Sequence, residues 1–134
     1  MAPCVFCNRI EAGDYHWSNN DAVAFSDSFP ISTGHTLVIP RQHEPDFFDL
    51  DPDTRAAMWV LVDEVRLNLI ARFSPDGFNI GVNIGTSAGQ TVGHAHIHLI
   101  PRYAGDVTDP RGGVRWVIAE QAPYWSPPDS DAHD

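Results

Sequence analysis

The chain has 134 residues, 43% of them hydrophobic and 19% charged, enough for a single domain that buries a core without disulfide staples. Its formal charge is −10 and all eight basic residues are arginine, a balance that excludes the basic face required for nucleic-acid binding. No apolar run approaches the length of a membrane span, and no basic segment leads into an apolar one at the N-terminus, so a cytosolic protein is expected. A small anion can still bind, provided a local pocket supplies neutral donors, backbone N–H groups or helix ends.

The segment Cys4–Ile10 reads as one or two helical turns and carries the Cys4-x-x-Cys7 pair. In a reducing compartment that spacing marks a metal half-site or a redox pair, with two free thiols as the plain alternative. A hairpin follows: Tyr15-His16-Trp17, a turn over Ser18–Asp21 whose Asn and Asp tolerate positive φ, then Ala22–Phe25. Asp27–Gly34 is a loop, and His35–Ile39 a strand stopped by Pro40.

The clearest helix runs from about Asp53 to Phe73, with Asp51 as N-cap and Pro52 where its missing N–H costs nothing. Met58, Leu61, Val62, Val65, Leu69 and Phe73 recur at steps of three and four and form one apolar stripe. Phe78–Gly85 alternates strictly: Phe78, Ile80, Val82 and Ile84 face one way, to pack on the long helix, and Asn79, Gly81, Asn83 and Gly85 face the other. The second face is small and polar, as a closely approached ligand surface would be. After a loop at Thr86–Gln90, His94–Ile100 is a further strand, again stopped by a proline, and Val114–Ile118 a last one. The fold class is α+β, an antiparallel sheet with one long helix packed on its apolar face. Pro123–Asp134, acidic and without a basic residue, reads as a flexible tail.

Chemistry concentrates in the His94-Ala-His96-Ile-His98 strand, where alternation aims three imidazoles to one side and Ala95, Ile97 and Leu99 into the core. Packing has no need of three titratable rings in a row. Such a row can hold a metal with an open water position, or present a neutral imidazole as nucleophile with orienting neighbours. No carboxylate lies between Gly77 and Arg102, which favours the nucleophile. The donor-rich loop Gly85–Thr91 can cradle phosphate oxygens without any lysine. His35-Thr-Leu-Val-Ile-Pro-Arg41 and His96-Ile-His-Leu-Ile-Pro-Arg102 end alike, and pairing them as neighbours would gather several imidazoles.

Ala88–Arg102 resembles the signature of the histidine triad family, His-φ-His-φ-His-φ-φ with φ apolar. The likeness extends to Cys4–Ile10, Ala24–Asp27 and His35–Pro40, and covers most of residues 4–118; Asp109–Ile118 resembles the bacterial type. The resemblance implies a histidine triad domain over residues 1–122 and a nucleotide hydrolase or transferase of phosphoramidase or dinucleoside polyphosphate hydrolase type. His96 would attack the α-phosphate of a purine nucleotide derivative to form a nucleotidyl-histidine that water hydrolyses. It casts His98 and His35 as its catalytic companions, and Gly89, Gln90 and Thr91 as phosphate-side contacts. It casts Asn83 as a polar pocket residue, Asp27 as the ribose-binding acid, and Phe6 and Ile10 as apolar base contacts. It implies a homodimer built on the long helix and a sheet strand. By likeness to zinc-bearing bacterial members, it also implies a structural zinc held by Cys4, Cys7, His43 and His94, a role that bars His94 from relaying protons. Two other functions stand beside this one: a regulatory module that binds nucleotides with incidental turnover, and a hydrolase whose catalytic zinc sits on the histidine row.

Overall fold

The structure, a computed structural model, describes residues 4–125. They separate into two compact units, one ending at Tyr103 and the other beginning at Ala104. No described helix is long and apolar enough to cross a membrane.

The first unit opens with α1, Val5–Ala12. Its N-cap is Cys4, whose Sγ accepts the backbone N–H of Cys7 at 3.4 Å, so helix initiation itself draws the two cysteines together. The hairpin follows as β1 (Trp17–Ser18) and β2 (Ala22–Ser26), with Asn19 Oδ1 accepting the N–H groups of Asp21 and Ala22 at the turn. β3 spans Thr36–Pro40. Gly34, just before it, has φ of +90°, and a Cβ there would meet Phe73 and Pro101 at 3.2 Å, so this entry into β3 requires glycine.

The long helix α2 runs from Pro52 to Phe73 with Asp51 capping the N–H of Asp53, as its sequence signals predict. β4 is Gly77–Gly81 and β5 Ile97–Arg102. The five strands form one antiparallel sheet in the order β1-β2-β3-β5-β4, which bears out the α+β fold.

Both faces of the sheet are covered. On one, the α2 stripe of Met58, Leu61, Val62, Val65 and Leu69 packs on Ala22, Ala24, Val38, Ala95, Ile97 and Leu99. Each large side chain fully buried in this layer contributes roughly 1.5–3 kcal/mol. On the other, Phe6 of α1 packs on Val23, Phe25, Leu37 and Ile39. The sequence pattern showed only the first layer, because β2 from Ala22 to Phe25 and the whole of β3 are buried and leave no polar alternation to read.

Three expected strands need correction. The β4 ladder stops at Gly81 rather than Gly85, though Val82 and Ile84 still pack against the α2 layer. The β5 ladder begins at Ile97, leaving His94 and His96 ahead of it. The β3–β5 register, Thr36 opposite Leu99, extrapolates to Pro40 opposite Ala95, and proline has no N–H to extend a ladder. The Ala95 N–H turns instead to the Glu44 carbonyl at 2.7 Å.

In the second unit, Gly113–Gln121 is 3-10 helical with a kink at Ile118, not a strand over Val114–Ile118. Arg115 donates from Nε to the Ala122 carbonyl and from Nη2 to the Gln121 carbonyl, and Trp116 Nε1–H to the Arg111 carbonyl. These side-chain bonds to backbone fold the segment on itself against its β propensity. Of the expected tail, Pro123–Trp125 are described, and the buried Trp125 lies beneath the Arg111 guanidinium; residues 126–134 lie outside the described residues.

Candidate nucleotide-binding and metal sites

The β2, β3, β5 and β4 registers place Phe25, Leu37, His98 and Gly81 in one row across the sheet. Phe25 and Leu37 belong to the α1-side layer, so the row passes from buried aromatic to imidazole to a residue with no side chain. A Cβ at Gly81 would meet nothing within 4 Å, so the space beside His98 is open on that side.

His96 and His98 stand with ring centroids 5.0 Å apart, and Phe6 touches both His96 (5.1 Å) and His94 (5.8 Å), which puts all three rings on the α1 side. Alternation thus persists although two of the three lie outside the ladder.

The protonation pattern of these rings follows from their partners. His96 Nδ1 lies 2.8 Å from the His94 carbonyl oxygen, which can only accept. Nδ1 therefore carries the proton, and in the neutral ring the lone pair is on Nε2. The backbone N–H of Ile31 donates to His35 Nδ1 at 3.2 Å, so the proton of His35 is on Nε2. That N–H donates to His98 Nδ1 at 3.0 Å, with an Asp27 carboxylate oxygen 3.4 Å away. His98 in turn bears its proton on Nε2. Neighbouring imidazoles thus present opposite chemistry, a lone pair on His96 and an N–H on His98.

Burial, and then the nearby His96 and His35, push the His98 pKa down to about 4, so the ring is neutral at neutral pH. Burial also lowers the pKa of His35, against the pull of Asp27.

His94 belongs to a different cluster. Its Nε2–H donates to the Pro40 carbonyl at 2.8 Å, which leaves Nδ1 with its lone pair. Burial lowers its pKa and favours the neutral ring. Around Nδ1 lie Cys4 Sγ at 3.5 Å, Cys7 Sγ at 3.6 Å and His43 Nδ1 at 3.3 Å, with Cys7 Sγ 3.3 Å from His43 Nδ1. All four donor atoms lie within 4.8 Å of one another. Zinc bonds of about 2.0–2.1 Å to nitrogen and 2.3 Å to sulfur give tetrahedral edges of about 3.3 Å (N to N) and 3.6 Å (N to S). The donor set therefore fits a tetrahedral Cys2His2 zinc in type and spacing, and His94 fits it in tautomer as well.

Asp27, His35 and His98 form a second close group. The tautomers argue against a metal there, since the proton of His35 sits on the nitrogen that faces the other two. The histidine row is thus split: His94 turns to the cysteines, and His96 and His98 face the sheet's open side. A single catalytic zinc on all three is not what the geometry supports.

The remaining sequence candidates fall as follows. Phe6 is buried on His96, and Ile10 packs at the edge of the same α1-side layer. Asp27 accepts the Phe29 N–H at 2.9 Å with one oxygen and faces His35 with the other. Asn83 is half-buried just beyond β4. Gly89 takes a left-handed conformation at the end of the 3-10 turn Thr86–Ala88, and Thr91 is exposed. Gln90 accepts from the Gly85 N–H and donates to the carbonyls of Pro45 and Val92, so its amide holds the loop in shape and both N–H groups are spent on backbone. The residue types alone did not mark the backbone groups of Ile31 and Pro40 as partners of the histidines, because a backbone N–H or carbonyl carries no residue signature.

The HIT domain profile matches residues 14–105. The chain belongs to the HIT, or histidine triad, family. An uncharacterised HIT-like protein of Saccharolobus solfataricus is 40% identical over 106 residues, covering 77% of this chain and 76% of its own. An adenylylsulfatase of Arabidopsis thaliana is 35% identical over 74% of this chain and 52% of its own length. A zinc-bound histidine triad family protein of Mycobacterium smegmatis superposes with a TM-score of 0.69 at 34% identity, covering 87% of this chain and 91% of that one.

Proposed function

We propose that this HIT-family chain is a nucleotidyl hydrolase or transferase in which His96 Nε2 is the nucleophile. The carrying observation is the 2.8 Å bond from His96 Nδ1–H to the His94 carbonyl, which leaves Nε2 as the ring's only lone pair. In the first step that lone pair forms a P–N bond to the α-phosphorus, and the leaving group departs with the electrons of its own bond to phosphorus. The cationic nucleotidyl-imidazole is stabilised through Nδ1–H by the His94 carbonyl. Water then attacks phosphorus and gives up a proton to solvent, from which the departed leaving group takes one, the P–N bond breaks, and the lone pair returns to Nε2 with release of the nucleoside monophosphate. The Nε2–H of His98 donates a hydrogen bond to a phosphoryl or leaving-group oxygen, and His35 fixes that donor by holding His98 Nδ1.

The ribose falls to Asp27, the phosphates to the Gly89–Thr91 loop, whose shape the Gln90 amide holds, and a purine base to Phe6 and Ile10, with Asn83 a polar residue of the pocket. Phosphoramidates, dinucleoside polyphosphates and adenylyl sulfate all offer the required α-phosphate, and the Arabidopsis relative is named for the last of these.

Cys4, Cys7, His43 and His94 would hold zinc, which supplies a structural clamp when bound; the Mycobacterium smegmatis relative is named as zinc-bound. The chain's own contribution is to fix His94, whose carbonyl orients the nucleophile. An exposed apolar stripe on α2, Trp59, Val60, Leu67 and Ile70, and the exposed Ile80 on the edge strand β4 support a homodimer through helix and edge strand. The cytosol is the compartment consistent with the two free thiols.

Rapid quenching with substrate labelled at the α-phosphate tests this directly. Label trapped on His96 within the first turnover is expected; label that passes to solvent with none ever on protein means direct attack by water and sinks the mechanism.

A further inference from the structure

The nucleophile is connected to one cation. Phe6, Arg9 and Ile10 lie at i, i+3 and i+4 on α1 and share a face. Phe6 touches His96 at 5.1 Å and meets Phe25 edge-on at 5.6 Å. The Arg9 guanidinium lies 4.2 Å over the Phe25 ring, and its Nη2 donates to Ser28 Oγ at 3.3 Å. Ser28 follows Asp27, whose carboxylate stands 3.4 Å from His35. His96, Phe6, Phe25 and Arg9 therefore make a continuous line of contacts, with the partly exposed Arg9 at its outer end and Ser28, next to Asp27, beside it. A nucleotide with its α-phosphate at His96 and its ribose at Asp27 directs its base toward Arg9.

In a chain of charge −10 with no lysine, a guanidinium at this place is not part of a generally basic surface. Its acidic neighbour Asp14 is 3.8 Å away and two-thirds exposed, so that pair is weak and does not hold Arg9 from a ligand. Stacking on Phe25 and the bond to Ser28 set the guanidinium plane, and a guanidinium has five N–H donors in a fixed fork.

We infer that Arg9 is a specificity-determining residue that reads the acceptor edge of a 6-oxopurine, so that this protein prefers guanine and hypoxanthine nucleotides to adenine nucleotides. N7 and O6 of such a base accept two N–H groups together; adenine sets its N6 amino donors against the guanidinium and loses one bond. The inference rests on the nucleotide-binding function proposed above and adds the base class to it.

Titration calorimetry of the full chain with GMP, IMP and AMP decides it. GMP and IMP are expected to bind alike and about tenfold or more tighter than AMP, the discrimination of one two-pronged contact. Arg9→Ala should bring all three within about twofold by weakening GMP and IMP while AMP is held. Arg9→Lys, which keeps the charge and loses the fork, should fail to restore the preference. Equal binding of all three by the unaltered protein overturns the inference, as does an Arg9→Ala that weakens them equally or an Arg9→Lys that keeps the full preference. A protein that binds none of the three, with labelled substrate leaving nothing on His96, removes the nucleotide function as well; binding without base preference removes only the role of Arg9.

Discussion

The two faces of the sheet are made by the same strands and differ in what fills them. Toward α2, Ala22, Ala24, Val38, Ile97 and Leu99 meet an all-apolar helix stripe, and every side chain there contributes burial. Toward α1, the row that starts with Phe25 and Leu37 continues to His98 and ends at Gly81. Imidazole stands where a packed apolar side chain would, and glycine leaves space beside it. The difference teaches that the α1 face gives up packing for chemistry. Burial lowers the pKa of His35, His94 and His98, and each ring of the row is tied through one nitrogen to a backbone carbonyl, a backbone N–H or another ring, which decides what the other nitrogen offers. Stability should therefore be lost through one face and turnover through the other.

His96→Ala is the sharpest cut. Turnover should fall by at least about 10⁴-fold, because the ring supplies the covalent step, while the melting temperature shifts by only a few degrees. Steady-state rates beside thermal melts decide it, and retained turnover would erase the functional distinction between the faces.

Leu61→Ala on the α2 face should show the opposite pattern. A fully buried leucine on that stripe loses about 2–5 kcal/mol on truncation. Chemical denaturation should show that loss, while kcat of the folded protein stays within a fewfold. A hundredfold loss of kcat in folded Leu61→Ala would break the comparison.

Metal removal probes stability and turnover together on the α1 face, since His94 reaches the cysteines with its ring and His96 with its carbonyl. Elemental analysis should find about one zinc per chain. Chelation should lower stability by roughly 3–4 kcal/mol at saturating metal and reduce kcat more than KM. No bound metal and an unchanged melt would remove the clamp.

Smallest is the effect of pH. The His98 pKa is about 4 in the fold against an ordinary 6.5, so below 6.5 the unfolded chain takes up a proton that the fold refuses. Its contribution to stability is complete above pH 6.5 and is lost as pH falls toward 4, with His35 adding in the same direction. Denaturation midpoints from pH 7 to 4 should decline, and His98→Asn should flatten part of that slope.

Much of this was written locally. The period of Met58–Phe73, the Asp51–Pro52 start and the alternation of His94, His96 and His98 all report a short-range rule, and the structure obeys each. The matched endings of the two histidine strands raised the case of their pairing, and β3 and β5 do pair, with His35 meeting His98. The Val114–Ile118 segment misled because Val, Trp and Ile favour strands, whereas carbonyls six and seven residues from Arg115 capture its guanidinium and close a helical turn.

By itself the sequence determined which side chains share a face, where the long helix begins, and that imidazoles and thiols suited to phosphate and metal chemistry are present, because these follow from backbone periodicity and side-chain identity. Only the tertiary structure decided what each imidazole does. Whether a ring nitrogen holds a proton or a lone pair depends on the group facing it, and the decisive partners are backbone atoms of Ile31, Pro40 and His94 together with the ring of His35. Two of them, Ile31 and Pro40, bring no side-chain chemistry that a sequence could display, and all of them take effect through the folding that sets them against the rings.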